Sequence, residues 1–274
     1  MSAESCDVCG RGDWRHPIAF TGERLCDACF RARFLERVRR TINRHRLLTP
    51  RSKILLGISG SAQSIAMAKA IWEIERKYLA VRVSFVHVLR WGDMVEADAV
   101  REAFGQLHLP LEDLRTVSLR EKRGYCLTDL VEGRFIAREG VCRACRHLVP
   151  SVLTVEAHGM GCDVIAYGDT ADELAEEALF HLCSERSDSL ARIGAKRALS
   201  DGRLHRVLPL SHALKSEATS YLSSLGFSPS YSCPFRDVRE EELSGIMAKL
   251  EEKQPGSAFS ATKSFLSLSR GLAS

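Results

Sequence analysis

No stretch of this 274-residue chain approaches the ~20 consecutive apolar residues needed to span a bilayer. The opening MSAESCDVCGRGDW is polar and carries cysteine, so it is not a secretory signal. Together the two absences predict a cytoplasmic protein with no membrane association. No internal repeat or low-complexity tract is present, which sets aside repeat arrays. The Walker signature is missing as well. The turn SGSAQS, Ser59 to Ser64, contains neither lysine nor carboxylate.

Cysteine, by contrast, is plentiful, with ten residues. In a reducing compartment these point to metal or sulfur chemistry before disulfides. Cys6-x2-Cys9 and Cys26-x2-Cys29 form two knuckles separated by sixteen residues. Four thiolates so spaced close the tetrahedral shell of a structural zinc and leave no open position for catalysis. A segment of ~30 residues buries little core, so metal would supply its folding free energy.

The net charge is +4, but it is unevenly distributed. Residues 31–53 hold Arg31, Arg33, Arg37, Arg39, Arg40, Arg44, Arg46, Arg51 and Lys53 against the single acid Glu36. A solvated helix face explains this, and so does contact with a nucleic-acid backbone. The second reading selects Arg39, Arg40, Arg44 and Arg46.

Hydrophobic periodicity predicts a helix over 31–50, with Phe34, Leu35, Val38, Ile42 and Leu47 at helical spacing and Pro50 closing it. Strands follow in SKILLGIS, VRVSFVHVL, LRTVSL, CDVIAYGD and LHRVLPLSHAL. Helical runs lie between them, one starting near Cys145, and a last helix over REEELSGIMAKLEEKQPG closes the chain. The alternation predicts an α/β fold, a parallel sheet with helices on both faces, its ligand site at the strands' carboxyl ends. The organisation expected is a zinc module (1–30), a basic helical connector (31–50), the α/β domain (51–232) and a C-terminal helical segment (233–274).

Cys142 and Cys145 form another C-x2-C pair, with Cys233 as the obvious remote partner. Cys126 is a further candidate, whereas Cys162 and Cys183 fit buried apolar positions. Three cysteines at an open site suit an iron–sulfur cluster with one free iron, a redox or persulfide pair, or zinc. The turn after Ile58 keeps the small residues Ser59, Gly60, Ser61 and Ser64. It is either a plain βα turn or one whose amides cradle phosphate. After Tyr167, GDTADELAEE clusters Asp169, Asp172, Glu173, Glu176 and Glu177. Acids favour a helix's first turn, and one of these could hold Mg(II) beside ATP phosphates.

These pieces, in this order, resemble the PP-loop tRNA thiolases, and more closely the cytosolic and archaeal-type tRNA 2-thiouridine synthetases. The similarity covers nearly the whole chain. GDTADELAEEAL resembles the family's G-H-N-x-D-D-x-A-E-x-x-L stretch. HRVLPLSHALKSEATSYLSSLGF and CPFRDVREEELSGIMAKLEEKQPG resemble its two C-terminal segments.

The resemblance implies a PP-loop ATP pyrophosphatase fold, like that of the adenine nucleotide alpha hydrolases. It implies ATP-dependent adenylation of the C2 oxygen of a tRNA uridine or cytidine, followed by displacement of AMP by sulfur. Cys142, Cys145 and Cys233 would hold a [4Fe-4S] cluster, and Asp172 would be catalytic. A sulfur-carrier protein or other donor, and a homodimer or a heterodimer with a PP-loop paralogue, are the implied partners.

Departures are equally specific. The family loop S-G-G-x-D-S is here Ser59-Gly60-Ser61-Ala62-Gln63-Ser64, and the lysine four residues after the second cysteine is Val149. Asp169 replaces histidine and Glu173 replaces aspartate. A second, C-terminal zinc ribbon of many relatives has no counterpart before Ser274. Losing one positive group at an adenylyl-transfer site costs about 10²–10³ in rate. The alternative is therefore a catalytically inactive partner subunit that binds tRNA or a thiolase. Arg143 and Arg146, beside Cys145, are the candidate replacement cations.

Overall fold

The computed structural model describes residues 5–78, 80–183, 193–199, 202–231, 233, 235 and 238–272. The chain opens with an antiparallel hairpin, β1 (His16–Ile18) and β2 (Glu23–Leu25), followed by α1 (Asp27–Arg44). Phe30, Phe34, Val38 and Ile42 recur at helical spacing and bury one face of α1, with Phe34 stacked on Tyr221 at 4.4 Å. Each such side chain contributes ~1.5–3 kcal/mol by leaving water.

Helix α1 crosses the expected boundary at residue 30, because Cys26 is its N-cap and Cys29 lies in its first turn. Cys6, Ile18 and Leu25 share one core with α1, so the cysteine module and the connector are a single packed unit. Nor does α1 run to Pro50. Arg46 takes a left-handed conformation (φ 47°). Its N–H reaches Asn43 O, and that of Leu47 reaches Ile42 O at 2.9 Å. This is a Schellman closure with arginine where glycine is usual.

The main sheet contains β3 (Lys53–Ile58), β4 (Arg82–Leu89), β5 (Leu114–Ser118), β6 (Val164–Ala166), β7 (Lys196–Ala198) and β8 (His205–Val207). Their order is β5-β4-β3-β6-β8-β7, parallel except for the edge strand β7, which the sequence reading did not contain. Ile54, Leu56 and Ile58 of β3 face the core shared with α1 and α2 (Ala62–Glu75), while Leu55 faces the opposite core under α6 (Val141–Gly159). Successive strands run outward from β3 through β4 to β5, and the chain then returns to β6 on β3's other side. The switch point thus lies between β3 and β6, where open α/β sheets bind ligands.

Shorter helices α3 (Val95–Gln106), α4 (Leu119–Arg123) and α5 (Leu127–Glu132) connect this half. Helices α7 (Ala171–Cys183) and α8 (Lys215–Ser224) follow in the other. The expected single last helix is a hairpin of two, α9 (Val238–Lys253) and α10 (Ser257–Leu272), broken at Gly256 with φ 94°. Phe20 of the cysteine module packs so closely on Gly256 that a Cβ there would lie 2.5 Å from its ring. Thr262 Oγ1 donates to Ala171 O at 2.6 Å. The C-terminal segment therefore packs on both the cysteine module and the start of α7. Among the described residues no helix is long and apolar enough to cross a membrane.

Candidate functional site

The four N-terminal thiols converge as their spacing predicts. The sulfurs of Cys6, Cys9, Cys26 and Cys29 all lie within 4.8 Å of one another, and Cys9 and Cys26 are 3.8 Å apart. Ligands ~2.3 Å from one tetrahedral Zn(II) stand about 3.8 Å apart, so the group fits this ion. Backbone N–H groups of Cys26 and Cys9 hold the Cys6 thiol down at about 6, whereas burial, then the neighbouring thiols, pushes Cys29 up to about 12. One thiol is thus ready to ligate as thiolate, and another needs the metal's charge to ionise.

At the switch point, Ser61 caps α2 by accepting the Ser64 N–H. Ser64 Oγ accepts from the Ser59 N–H at 3.2 Å, and Ser59 Oγ bonds both Ser61 and Ser64. Gly60 makes the turn with φ 83°, and its open side faces Tyr231, whose ring a Cβ would meet at 3.1 Å. Gly168, at the end of β6, passes so near the loop that its Cβ would sit 2.9 Å from Ser64 N. The four loop residues are therefore assembled. Ser59, Ser61 and Ser64 line a cavity of about 210 Å³, and Gly60 shapes the turn behind it.

Asp172 does not line this cavity. Its carboxylate accepts the Lys215 N–H at 3.1 and 3.2 Å and the Thr170 hydroxyl at 2.6 Å, which fastens the start of α8. The cavity acids are Asp169 and Glu173. Asp169 pairs with Arg206 at 2.8 Å. Glu173 accepts from Gln63 Nε2 at 3.2 Å and from the Thr170 N–H at 2.9 Å. Burial pushes its carboxyl up to about 7, against the pull of Lys215. Both carboxylates reach the Thr170 hydroxyl, at 2.6 and 2.8 Å, but Asp172 continues to the start of α8 while Glu173 turns to Gln63 and the cavity.

The second cysteine set also assembles. Helix α6 starts at Val141, four residues before the expected start, so Cys142 and Cys145 both lie in its first turns. Cys142 and Cys233 both donate to the carbonyl of Phe235, at 3.1 and 3.2 Å. Cys145 faces Arg90 and Cys233; burial raises its pKa and Arg90 opposes the rise. These three thiols are not gathered as tightly as the N-terminal four. Cys126 is fully buried and donates to Trp91 O at 3.3 Å. Cys183, expected inside, is exposed because it ends α7 beyond the core.

Arg90 is the residue that sequence reasoning missed. It ends the β4 region and lines the cavity, and it donates to Ser59 O at 2.9 Å. Buried Glu96 accepts from its Nε at 2.8 Å. Strand-end position at the switch point was the available signal. Arg143 and Arg146 are exposed and outside the cavity lining, and Val149 occupies the wall where the family places lysine. On α1, Arg33 and Arg37 are engaged by Glu23 and Glu217, while Arg31 bonds Ser224 O. Arg39, Arg40, Arg44 and Arg46 are exposed, the first two sharing Glu36 at 2.9 Å.

A parallel sheet with a serine–glycine loop capping a helix at its switch point defines a PP-loop α/β protein. Residues 32–228 match the family described as a PP-loop domain, and the chain belongs to that family. It is 26% identical over 263 residues to the tRNA-5-methyluridine(54) 2-sulfurtransferase of Pyrococcus horikoshii, covering 95% of this chain and 81% of that protein. It is 30% identical over 232 residues to cytoplasmic tRNA 2-thiolation protein 1 of Bos taurus, covering 81% of this chain but only 65% of the bovine protein. The solved U34-tRNA thiolase NcsA from Methanococcus maripaludis, with its [4Fe-4S] cluster, has the same fold. Its TM-score is 0.82 at 21% identity, over 98% of this chain and 89% of that one.

Proposed function

We propose that the chain is an ATP-dependent sulfurtransferase that thiolates C2 of a pyrimidine in tRNA. The observation that carries the reading is the convergence of Cys142, Cys145 and Cys233 beside the loop cavity, two of them on one carbonyl. The names of the relatives support the tRNA substrate.

In this reading, Ser61, Ser64 and the N–H groups opening α2 receive the ATP phosphates. The pyrimidine C2 oxygen attacks the α-phosphorus and pyrophosphate leaves. Hydrosulfide then adds at C2, a proton is lost, and AMP departs with the former oxygen. A [4Fe-4S] cluster on the three cysteines would supply an open iron to deliver that sulfide. Mg(II) would be taken by Asp169 and Glu173, which face the cavity, while Asp172 positions α8. Cys6, Cys9, Cys26 and Cys29 would hold a structural zinc, and Arg39, Arg40, Arg44 and Arg46 the tRNA backbone. Sulfur would come from a carrier protein or other donor, to a homodimer or a heterodimer with a PP-loop paralogue.

The test is anaerobic reconstitution with iron and sulfide, followed by iron content, the visible spectrum, ATP binding and mass spectrometry of the tRNA nucleosides. Expected are a cluster lost in Cys142→Ala with zinc retained, ATP binding, and a 2-thiopyrimidine. An iron-free protein that keeps its zinc would overturn the cluster. A cluster without ATP affinity would instead mark a non-adenylating partner subunit.

A further inference from the structure

We propose that Phe135 is a stacking platform for an unpaired tRNA nucleotide next to the one being modified, which rests on the sulfurtransferase reading above. Phe135 is 78% exposed, the most exposed large hydrophobic side chain among the described residues. The turn that displays it is rigidly bonded. Phe135 N–H and Ile136 N–H both reach Leu130 O, at 2.9 and 3.2 Å, and Arg134 adopts φ 56°. The ring lies flush on Gly133, where a Cβ would come within 2.6 Å of it. Ile136, the next residue, turns inward onto the core that holds Ala144 and Cys145. The same turn therefore packs with one side chain on the core that also underlies Cys145 and presents an aromatic face with its neighbour.

The surroundings select the ligand. Arg134, Arg138 and Arg143 are exposed, and among the described residues none forms an ion pair. The guanidinium of Arg138 sits 5.0 Å over the ring of Phe235, and Phe235 stacks on Trp91 at 4.9 Å. Phe235 is the residue whose carbonyl takes the Cys142 and Cys233 thiols, so this row of planar groups runs from the surface to the cysteines. A pyrimidine can reach them only by leaving its own stack, and its neighbours then lose a stacking partner. An exposed aromatic flanked by cations is what an unstacked nucleotide binds: ring on base, arginine on phosphate. The loss of one such contact weakens single-strand binding by about ten-fold or more.

The experiment compares the wild type, Phe135→Ala and Phe135→Trp in the reconstituted protein, with tRNA affinity measured across a salt series. Expected are a ten-fold or greater loss in Phe135→Ala with an unchanged salt slope. Phe135→Trp should restore affinity and show fluorescence quenched by tRNA beyond that of the wild type. Wild-type affinity in Phe135→Ala would overturn the platform and leave the sulfurtransferase reading intact. Normal RNA affinity with loss of turnover from a carrier protein, but not from free sulfide, would assign the patch to protein and likewise overturn it. A wild type with no tRNA affinity would overturn both.

Discussion

Arg90 and Glu96 form a buried ion pair behind the loop, the Glu96 carboxylate accepting both the Arg90 Nε–H, at 2.8 Å, and the Arg90 backbone N–H. Glu96 has no exposed surface. The same guanidinium reaches Ser59 O and the Tyr231 hydroxyl, which also receives Trp91 Nε1 at 2.8 Å. The pair thus joins the loop to the segment that carries Cys233. Removing one partner of a buried pair costs about 3–5 kcal/mol, because the other charge is left uncompensated. Glu96→Ala and Arg90→Ala should each destabilise by that amount in urea unfolding, and the double variant by clearly less than the sum. Strict additivity would show that the two do not interact.

The cysteine module shares its core with α1, so metal loss should not stay local. Chelation, or Cys29→Ser, should remove one zinc per chain and lower the unfolding temperature of the whole protein in a single transition. A separate early transition confined to residues 1–30 in hydrogen exchange would contradict the shared core.

Exposed and engaged arginines on α1 should separate cleanly. Neutralising Arg39, Arg40, Arg44 and Arg46 should weaken tRNA binding and flatten its log–log salt dependence, by roughly 0.7–0.9 per lost phosphate contact. Arg33→Gln and Arg37→Gln should leave that slope unchanged and act instead on stability, since Glu23 and Glu217 hold these side chains. An equal effect of both sets on the slope would refute the division.

His212 supplies a pH dependence. Burial, then the charges of His45, Arg44 and Arg37, lowers its imidazole to about 4, and the His45 ring lies 5.0 Å away. The folded state therefore keeps His212 neutral where the unfolded chain, with histidine near 6.5, takes up a proton. More protons on the unfolded side means that stability falls as pH drops from about 6.5 to about 4. His212→Gln should flatten the unfolding free energy across that window. An unchanged slope in the variant would remove His212 as its source.

How far the sequence could be read depended on how local the cause was. Cys6-x2-Cys9 and Cys26-x2-Cys29 predicted their own convergence because each knuckle is a short turn. The five parallel strands were legible from apolar runs. The end of α1 was not: a left-handed arginine, Arg46, closes it, and no glycine advertises the turn. The placing of Glu173 rather than Asp172 in the cavity wall was equally hidden, because both are acids in a first helical turn and only their tertiary partners, Gln63 for one and the Lys215 N–H for the other, separate them. Arg90 gave no motif at all.

The chain's order of strands and helices, its four-thiol module and the glycine turn before α2 are properties of the sequence itself. They follow from backbone geometry and side-chain period over a few residues. Tertiary structure alone decided that Cys233 meets Cys142 across 91 residues, that Arg90 is neutralised by Glu96, and that the C-terminal hairpin returns to Phe20. Those outcomes depend on which faces pack together, and packing is settled by long-range burial and charge compensation that no local pattern encodes.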